Sequence, residues 1–318
     1  MRVLVTGASG FIGSHIIPRL TEKGYDVWAL ERYVTGRYAQ PKNVKTVFGD
    51  IRDYFAMKNI ISQVQPDIVI HLAAISAVSY SYQHPIEVLD TNLKGTINLA
   101  EACLREVPHF KQFLYASTTE TYGNGPIPKT EDTTQNPNSP YAVSKLAAEK
   151  YLLYMNAGYN FPVTILRSFN TYGRKRDYHF VVEHAIMKML TEKTCRMGDL
   201  SPTRDFVYVD DHVSAYLACL ENPLAMGETF NFCTGRGIKI EELVYLIKKL
   251  IGFEGEIEWG TKPKRPLDID VLIGSYAKAE KVLGWRPQYT LEEGLIKTID
   301  FWRNQLGGHS CGADHRCC

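Results

Sequence analysis

Arg2-Val3-Leu4-Val5-Thr6-Gly7-Ala8-Ser9-Gly10-Phe11-Ile12-Gly13 decides how the rest of the chain folds. Arg2 to Thr6 reads as a short buried strand, glycine recurs at every third position from Gly7, and Ile16, Ile17 and Leu20 follow with helical spacing. Small residues between a strand and a helix let the backbone approach a pyrophosphate, whose charge meets free N–H groups at the helix N-terminus. A glycine triplet alone is weak evidence, because turns use glycine for its backbone freedom. Its setting strengthens it. A second strand, Asp26 to Leu30, ends on Glu31 at the separation expected for the acid that binds an adenosine ribose. Glu31 would accept hydrogen bonds from both ribose hydroxyls and repel a 2′-phosphate, which favours NAD over NADP. Arg32 pulls the other way, since a guanidinium there can pair with that phosphate.

Downstream the alternation continues. Val44 to Phe48 is a third strand leading to Asp50 and Ile51, and Asp67 to Leu72 is a fourth leading to Ala73 and Ala74. Asn92 to Cys103 is helical, Phe113 to Ala116 is the next strand, Tyr141 to Tyr154 the next helix and Val163 to Arg167 the sixth strand. The pattern predicts an α/β fold, a Rossmann-type doubly wound parallel sheet with ligands at the strand carboxyl ends. Gly7, Gly10, Phe11, Ile12, Gly13, Glu31, Arg32, Asp50, Ile51, Leu72, Ala73 and Ala74 then lie along the cofactor. His71 reads as a packed histidine at a strand end. Residues 1–172 form the dinucleotide-binding domain, with sheet elements returning from about 204–235. Residues 173–305 form mainly a smaller C-terminal α/β lobe for substrate, and 306–318 a frayed tail.

The bulk numbers limit the partners. At 318 residues there is ample chain for a core, and 45% hydrophobic with 22% charged residues is ordinary for a globular protein. A net charge of +1 creates no field that would recruit nucleic acid or an anionic membrane. No apolar run reaches the length of a membrane span, and the immediate opening strand leaves no room for a signal peptide, so the expected address is cytoplasmic. Cys103, Cys195, Cys219 and Cys233 are scattered as reduced structural cysteines are. The tail from His309 holds Cys311, Cys317, Cys318 and His315, which we read as terminal residues and not as a metal site.

Two further stretches carry chemistry: Ser117-Thr118-Thr119-Glu120-Thr121-Tyr122-Gly123 at a strand's carboxyl end, and Ser139-Pro140-Tyr141-Ala142-Val143-Ser144-Lys145. Tyr141 and Lys145 share a helix face, so the ammonium can sit near the phenol and favour its anion, a usable base. Such pairs are also commonplace on exposed helices.

Together, Gly7-x-x-Gly10-x-x-Gly13, the Ser/Thr stretch and Tyr141-x-x-x-Lys145 resemble the extended short-chain dehydrogenase/reductase family, over about residues 1 to 305. Asn92-Leu93-Lys94-Gly95-Thr96, Arg204 to Asp211 and Leu283-Gly284-Trp285-Arg286-Pro287 are similar to its branch acting on nucleotide-diphosphate sugars. The resemblance implies that Tyr141 deprotonates the sugar 4-hydroxyl as C4 gives hydride to the nicotinamide. Lys145 would lower the tyrosine pKa and hold the nicotinamide ribose, and Thr118 would hydrogen-bond the same hydroxyl.

The resulting 4-keto group acidifies the C5 proton, and three outcomes are open. A 4,6-dehydratase uses a base at C5 and expels the 6-hydroxyl as water; Thr118-Thr119-Glu120 resembles its triplet, with Glu120 as that base. Thr119 departs from it, because thymidine-sugar dehydratases have an aspartate there to protonate the leaving group; Glu120 would then do both jobs. A nucleotide-sugar 4-epimerase needs no acid beside C5, and a uridine-diphosphoglucuronate decarboxylase ranks third. The resemblance further implies Asn170, Arg204 and Arg265 on the diphosphate, Phe180 and Val181 at the base, and a homodimer seam of helices 92–106 and 141–155, where Leu146, Leu152 and Leu153 supply apolar positions. Arg204 has an alternative as an ion pair with Asp205 or Asp211, and Gly274 stands where relatives often have aspartate. A cofactor-bound scaffold without turnover is the non-enzyme alternative; it would have no need of Tyr141, Lys145 and Glu120 together.

Overall fold

The computed structural model describes residues 1–33, 41–261 and 266–307. Strands and helices alternate from the start: β1 (Arg2–Thr6), α1 (Phe11–Glu22), β2 (Asp26–Glu31), β3 (Lys45–Phe48), α2 (Tyr54–Val64) and β4 (Ile68–His71). Two short helices, α3 (Val78–Gln83) and α4 (Pro85–Leu89), precede α5 (Gly95–Glu106), β5 (Gln112–Thr118), α6 (Pro140–Tyr159) and β6 (Val163–Ser168). Then come β7 (Asn170–Tyr172), α7 (Val181–Thr191), β8 (Thr194–Arg196), β9 (Thr203–Tyr208), α8 (Val209–Cys219) and β10 (Thr229–Phe232). The described chain ends with β11 (Gly237–Lys239), α9 (Ile240–Ile251), β12 (Glu256–Glu258), β13 (Val271–Leu272), α10 (Ala277–Leu283) and α11 (Leu291–Gly307).

Among the described residues, the main sheet has seven strands in the order β10-β6-β5-β4-β1-β2-β3, all parallel. This is the Rossmann-type α/β architecture. The middles of its central strands, Val3 to Val5, Ile68 to Ile70 and Phe113 to Leu114, are continuously apolar because both faces are covered. Val3 and Val5 point into the layer with Ile16, Ile17 and Leu20 of α1, while Leu4 between them points into the layer with Met57, Ile61, Leu99 and Leu152. All ten are fully buried, each such side chain worth about 1.5–3 kcal/mol relative to exposure.

The expected strand around Arg204 does not join this sheet. β9 instead centres a second sheet with β11 antiparallel and with β13 and β7 parallel to it; only β10, of the returning stretch, completes the large sheet. The turn from β6 to β7 thus passes directly from one sheet into the other.

Two local departures from simple periodicity have visible causes. The helix expected from Asn92 starts as a π-turn over Asp90–Lys94. That widened turn lets the Asn92 amide bond both Ile75 N (2.8 Å) and Ile75 O (3.0 Å), as well as Ser144 Oγ (3.0 Å). The last helix runs to Gly307, so residues 306 and 307 belong to it and not to the frayed tail expected from 306. Residues 308–318, with the tail's cysteines and histidines, lie outside the described residues. Leu152, offered above for a dimer seam, is fully buried in the protomer's own core. Among the described residues, no helix is long and apolar enough to cross a membrane.

Candidate active site

The carboxyl ends of β1, β2, β4, β5 and β6 converge on one edge, where the glycine turn sits. Gly7 has φ +67°, and a Cβ on it would lie 2.8 Å from Ala73 N. A Cβ on Gly13 would lie 2.4 Å from the Gly7 carbonyl oxygen. Helix α1 is capped by Gly10, which has no side chain to bond the first-turn N–H groups beside Phe11 and Ile12, so they remain available to an anion. Glu31 ends β2 with 8% of its surface exposed, and Arg32 turns over the Tyr33 ring at 4.5 Å. Asp50 is gripped by Arg52 (Nη2–Oδ2 2.6 Å, Nε–Oδ1 3.0 Å), which holds its carboxyl below the usual range. Ile51 packs against Gly95 and its carbonyl accepts from Asn98 (3.0 Å). A tight glycine turn, an uncapped helix start and a carboxylate at the end of β2 fit a dinucleotide.

Under this cradle, Thr6 Oγ1 accepts from Ala73 N (3.1 Å) and bonds His71 Nδ1 (2.7 Å), while His71 Nε2 bonds Thr96 Oγ1 (2.9 Å). Leu72 N donates to Thr6 O (3.2 Å), and Ala74 follows in the same turn. Burial drives the His71 pKa down to about 3. The imidazole is a neutral packing group, as its position at a strand end suggests.

The candidate reactive side chains come from β5 and α6. β5 extends past Ala116 to Thr118, which caps the 3-10 turn Thr119–Tyr122 by accepting from Glu120 N (3.2 Å). α6 starts at Pro140, with the Ser139 hydroxyl accepting from Ala142 N (3.1 Å), a well-formed N-terminus that fixes the first-turn residue Tyr141. Burial holds the Tyr141 pKa above its ordinary value; a hydrogen bond with Thr118 opposes this and the nearby Glu120 charge adds to it. Thr118 and Tyr141 therefore meet, with the Glu120 charge near enough to act on the phenol.

Lys145 behaves differently from the expectation. Its Nζ donates to the Ala116 carbonyl (2.7 Å) and lies 4.6 Å above the Tyr115 ring; the phenol's hydrogen-bond partner is Thr118. A buried ammonium takes the nearest strong acceptor, and here that is the end of β5. Burial lowers its pKa to about 7, with Glu149 opposing. Thr119 is 2% exposed and its hydroxyl donates to Ser168 O (3.3 Å).

On the substrate side, Asn170 opens β7, flanked by Ser168 and Thr171, both bonded to the buried His212. Arg204 is 4% exposed; its ion pair is to Asp268 (3.1 Å) and not to Asp205 or Asp211. Asp205 instead accepts from Thr234 N and Gly235 N (each 2.9 Å) and from Gly274 N (3.4 Å), while Asp211 accepts from Gln288 N and Tyr289 N. Phe180 caps α7, with Val181 next, and carries the Lys175 Nζ 3.0 Å above its ring; the same ammonium is 5.1 Å from the Phe11 ring. Arg265 lies outside the described residues. Gly274 has a steric reason: a Cβ there would come within 2.2 Å of Phe169 Cζ and 2.7 Å of Cys233 Sγ.

Sequence reasoning missed Lys175, and it missed the buried pair Glu149–Arg167 behind residues 117–122. The signal for the pair was present: an arginine ending an apolar strand, and a glutamate one turn beyond Lys145 on the inward face.

A sequence model of the family described as GDP-mannose 4,6 dehydratase matches residues 4–298. The chain belongs to the extended short-chain dehydrogenase/reductase family. Within it, the chain falls in the NAD-dependent nucleotide-sugar epimerase/dehydratase branch. It is similar to a UDP-glucose 4-epimerase of Mycolicibacterium smegmatis, 35% identical over 96% of this chain and 99% of that one. Its structure resembles the crystal structure of Thermotoga maritima UDP-glucose 4-epimerase with UDP-glucose, with TM-score 0.90 and 35% identity over 96% of this chain and 100% of that one. It also resembles the Thermus thermophilus UDP-glucose 4-epimerase complex with NAD, with TM-score 0.87 and 32% identity over 95% and 99%. Membership makes the chain an enzyme of this short-chain dehydrogenase/reductase branch, and the scaffold alternative falls away.

Proposed function

We propose that the protein is a nucleotide-diphosphate-sugar 4,6-dehydratase that keeps NAD bound. When bound, NAD supplies the redox step, accepting hydride from the sugar's C4 and giving it back at the end of the turnover. Gly7, Gly10 and Gly13 admit its pyrophosphate to the start of α1, and Glu31 holds the adenosine ribose. Tyr141 takes the proton of the sugar 4-hydroxyl, with the Thr118 hydroxyl orienting both oxygens. Lys145, whose pKa burial lowers to about 7 with Glu149 opposing, stabilises in its charged form the Tyr141 phenolate that accepts that proton.

The observation carrying the dehydratase reading is Glu120 in the turn directly after Thr118, with its charge acting on the Tyr141 phenol. In this reading it faces C5, whose proton the neighbouring 4-keto group acidifies. Glu120 removes that proton and delivers it to the departing 6-oxygen, so water leaves across C5–C6; the hydride then returns to C6 while C5 takes a solvent-exchanged proton, balanced by the 4-hydroxyl proton that Tyr141 releases. Thr119 takes no part, since its hydroxyl is committed to Ser168 O. Asn170, Arg204 and Arg265 hold the diphosphate of the substrate, and Phe180 and Val181 line its base.

A second reading, 4-epimerisation, is favoured by the relatives named above as UDP-glucose 4-epimerases. It uses the same Tyr141, Lys145 and Thr118 and leaves Glu120 without a task. Reaction in deuterium oxide tests the choice: dehydration introduces solvent deuterium at C5, and epimerisation introduces none. We further propose that the protein works in the cytoplasm as a homodimer through the outer faces of α5 and α6, where Val143 and Tyr154 are exposed.

A further inference from the structure

Behind the catalytic turn lies a buried ion pair that the reaction itself does not use. Glu149 is fully buried, and its carboxylate takes three hydrogen bonds from the Arg167 guanidinium: Nη2–Oε2 2.7 Å, Nε–Oε1 3.0 Å and Nε–Oε2 3.2 Å. Each partner also reaches one end of the turn. Ser117, the residue before Thr118, donates its hydroxyl to Glu149 Oε1. Tyr122, at the end of the 3-10 turn that carries Glu120, accepts from Arg167 Nη1 (2.9 Å) and donates to Asn231 Oδ1 (2.8 Å). Gln135 Nε2 donates to the remaining side of Glu149 (2.9 Å).

A buried pair of this kind contributes little net stability, because both charges are desolvated; its value is geometric. We infer that Glu149 and Arg167 are positioning residues, a two-ended clamp on residues 117–122 that fixes Thr118 and Glu120 relative to Tyr141. The same helix face places Tyr141, Lys145 and Glu149 at successive turns, so the clamp is built on the element that carries the base. The catalytic turn is therefore registered to α6 at both ends by side chains as well as by the sheet. This inference rests on Thr118, Glu120 and Tyr141 forming the reactive group, as proposed above.

Removing Glu149 or Arg167 alone would bury an unpaired charge and endanger folding, so the test uses the two arms. Ser117→Ala and Tyr122→Phe each delete one hydroxyl at one end of the turn. In the NAD-loaded enzyme, each is expected to lower the single-turnover rate of NADH formation about 10- to 100-fold, with nucleotide-sugar KM and NAD affinity within about twofold. Hydrogen exchange supplies a readout independent of turnover: amides of residues 118–122 should exchange faster in both variants while those of α6 stay protected. Rates within twofold of wild type with unchanged amide protection would overturn the inference. So would equal loss of rate, cofactor affinity and α6 protection, which marks a general loss of fold. If wild type loses no water from any sugar nucleotide, the dehydratase reading fails, yet NADH formation and amide exchange still test the clamp.

Discussion

Lys145 Nζ lies 2.7 Å from the Ala116 carbonyl oxygen, and burial brings its pKa to about 7. Its ordinary value is 10.5, so between the two the unfolded chain binds a proton that the folded chain does not. Folding stability must therefore rise with pH across that window, and the cost of burying the ammonium is fully present below about pH 7. Lys145→Met should flatten this slope in thermal melts and raise the melting temperature most near pH 6. A variant melting curve parallel to wild type across the window would contradict it. Turnover should fall by a factor on the order of 10²–10⁴, because the phenolate loses its cation.

Glu120→Gln removes the only proposed base for C5 and leaves Tyr141, Thr118 and Lys145 intact. The expected phenotype is split. NADH should still form on adding sugar nucleotide, while water loss falls by about 10²–10⁴-fold. An unchanged rate of product formation would remove Glu120 from the mechanism.

Gly274 is confined by Phe169 and Cys233. Gly274→Ala should cost about 1–3 kcal/mol by overpacking, seen as a lower urea midpoint at unchanged slope. Combined with Phe169→Ala, the loss should be smaller than the sum of the two single losses. The Phe169 ring occupies the space that a side chain at this position would need, and Asp205 bonds the glycine's N–H.

The βα alternation, the glycine turn and the Tyr141–Lys145 spacing were legible because each is set by residues close together in sequence. What was not legible depends on partners far apart in sequence. The Asp268 partner of Arg204 lies 64 residues away, and β9 reads like any buried strand whichever sheet it joins. Likewise, the face shared by Tyr141 and Lys145 is set by helix geometry, whereas the choice of Ala116 over the phenol depends on where β5 ends. The π-turn at Asp90–Lys94 answers to the Asn92 amide and Ile75, again a tertiary cause.

Glu31 sits nearly buried where β2 ends. Glu31→Ser should weaken NAD binding by about 10- to 100-fold, the loss of hydrogen bonds to a charged acceptor, about 1.5–3 kcal/mol. Arg32 would then be free of competition for a 2′-phosphate, so NADP binding should improve. Titration of the stripped protein with both cofactors checks the sign; equal affinity changes for the two would contradict it.

The central claim is that Tyr141 and Glu120 act on one sugar in sequence. The most direct measurement is the mass of the product formed by the NAD-loaded protein from a panel of uridine, guanosine, thymidine and cytidine diphosphate sugars. The account predicts, for one of them, a product lighter by one water with no net NADH, and no such product from Tyr141→Phe, which still binds NAD. An isobaric product, or water loss that survives in Tyr141→Phe, would contradict it.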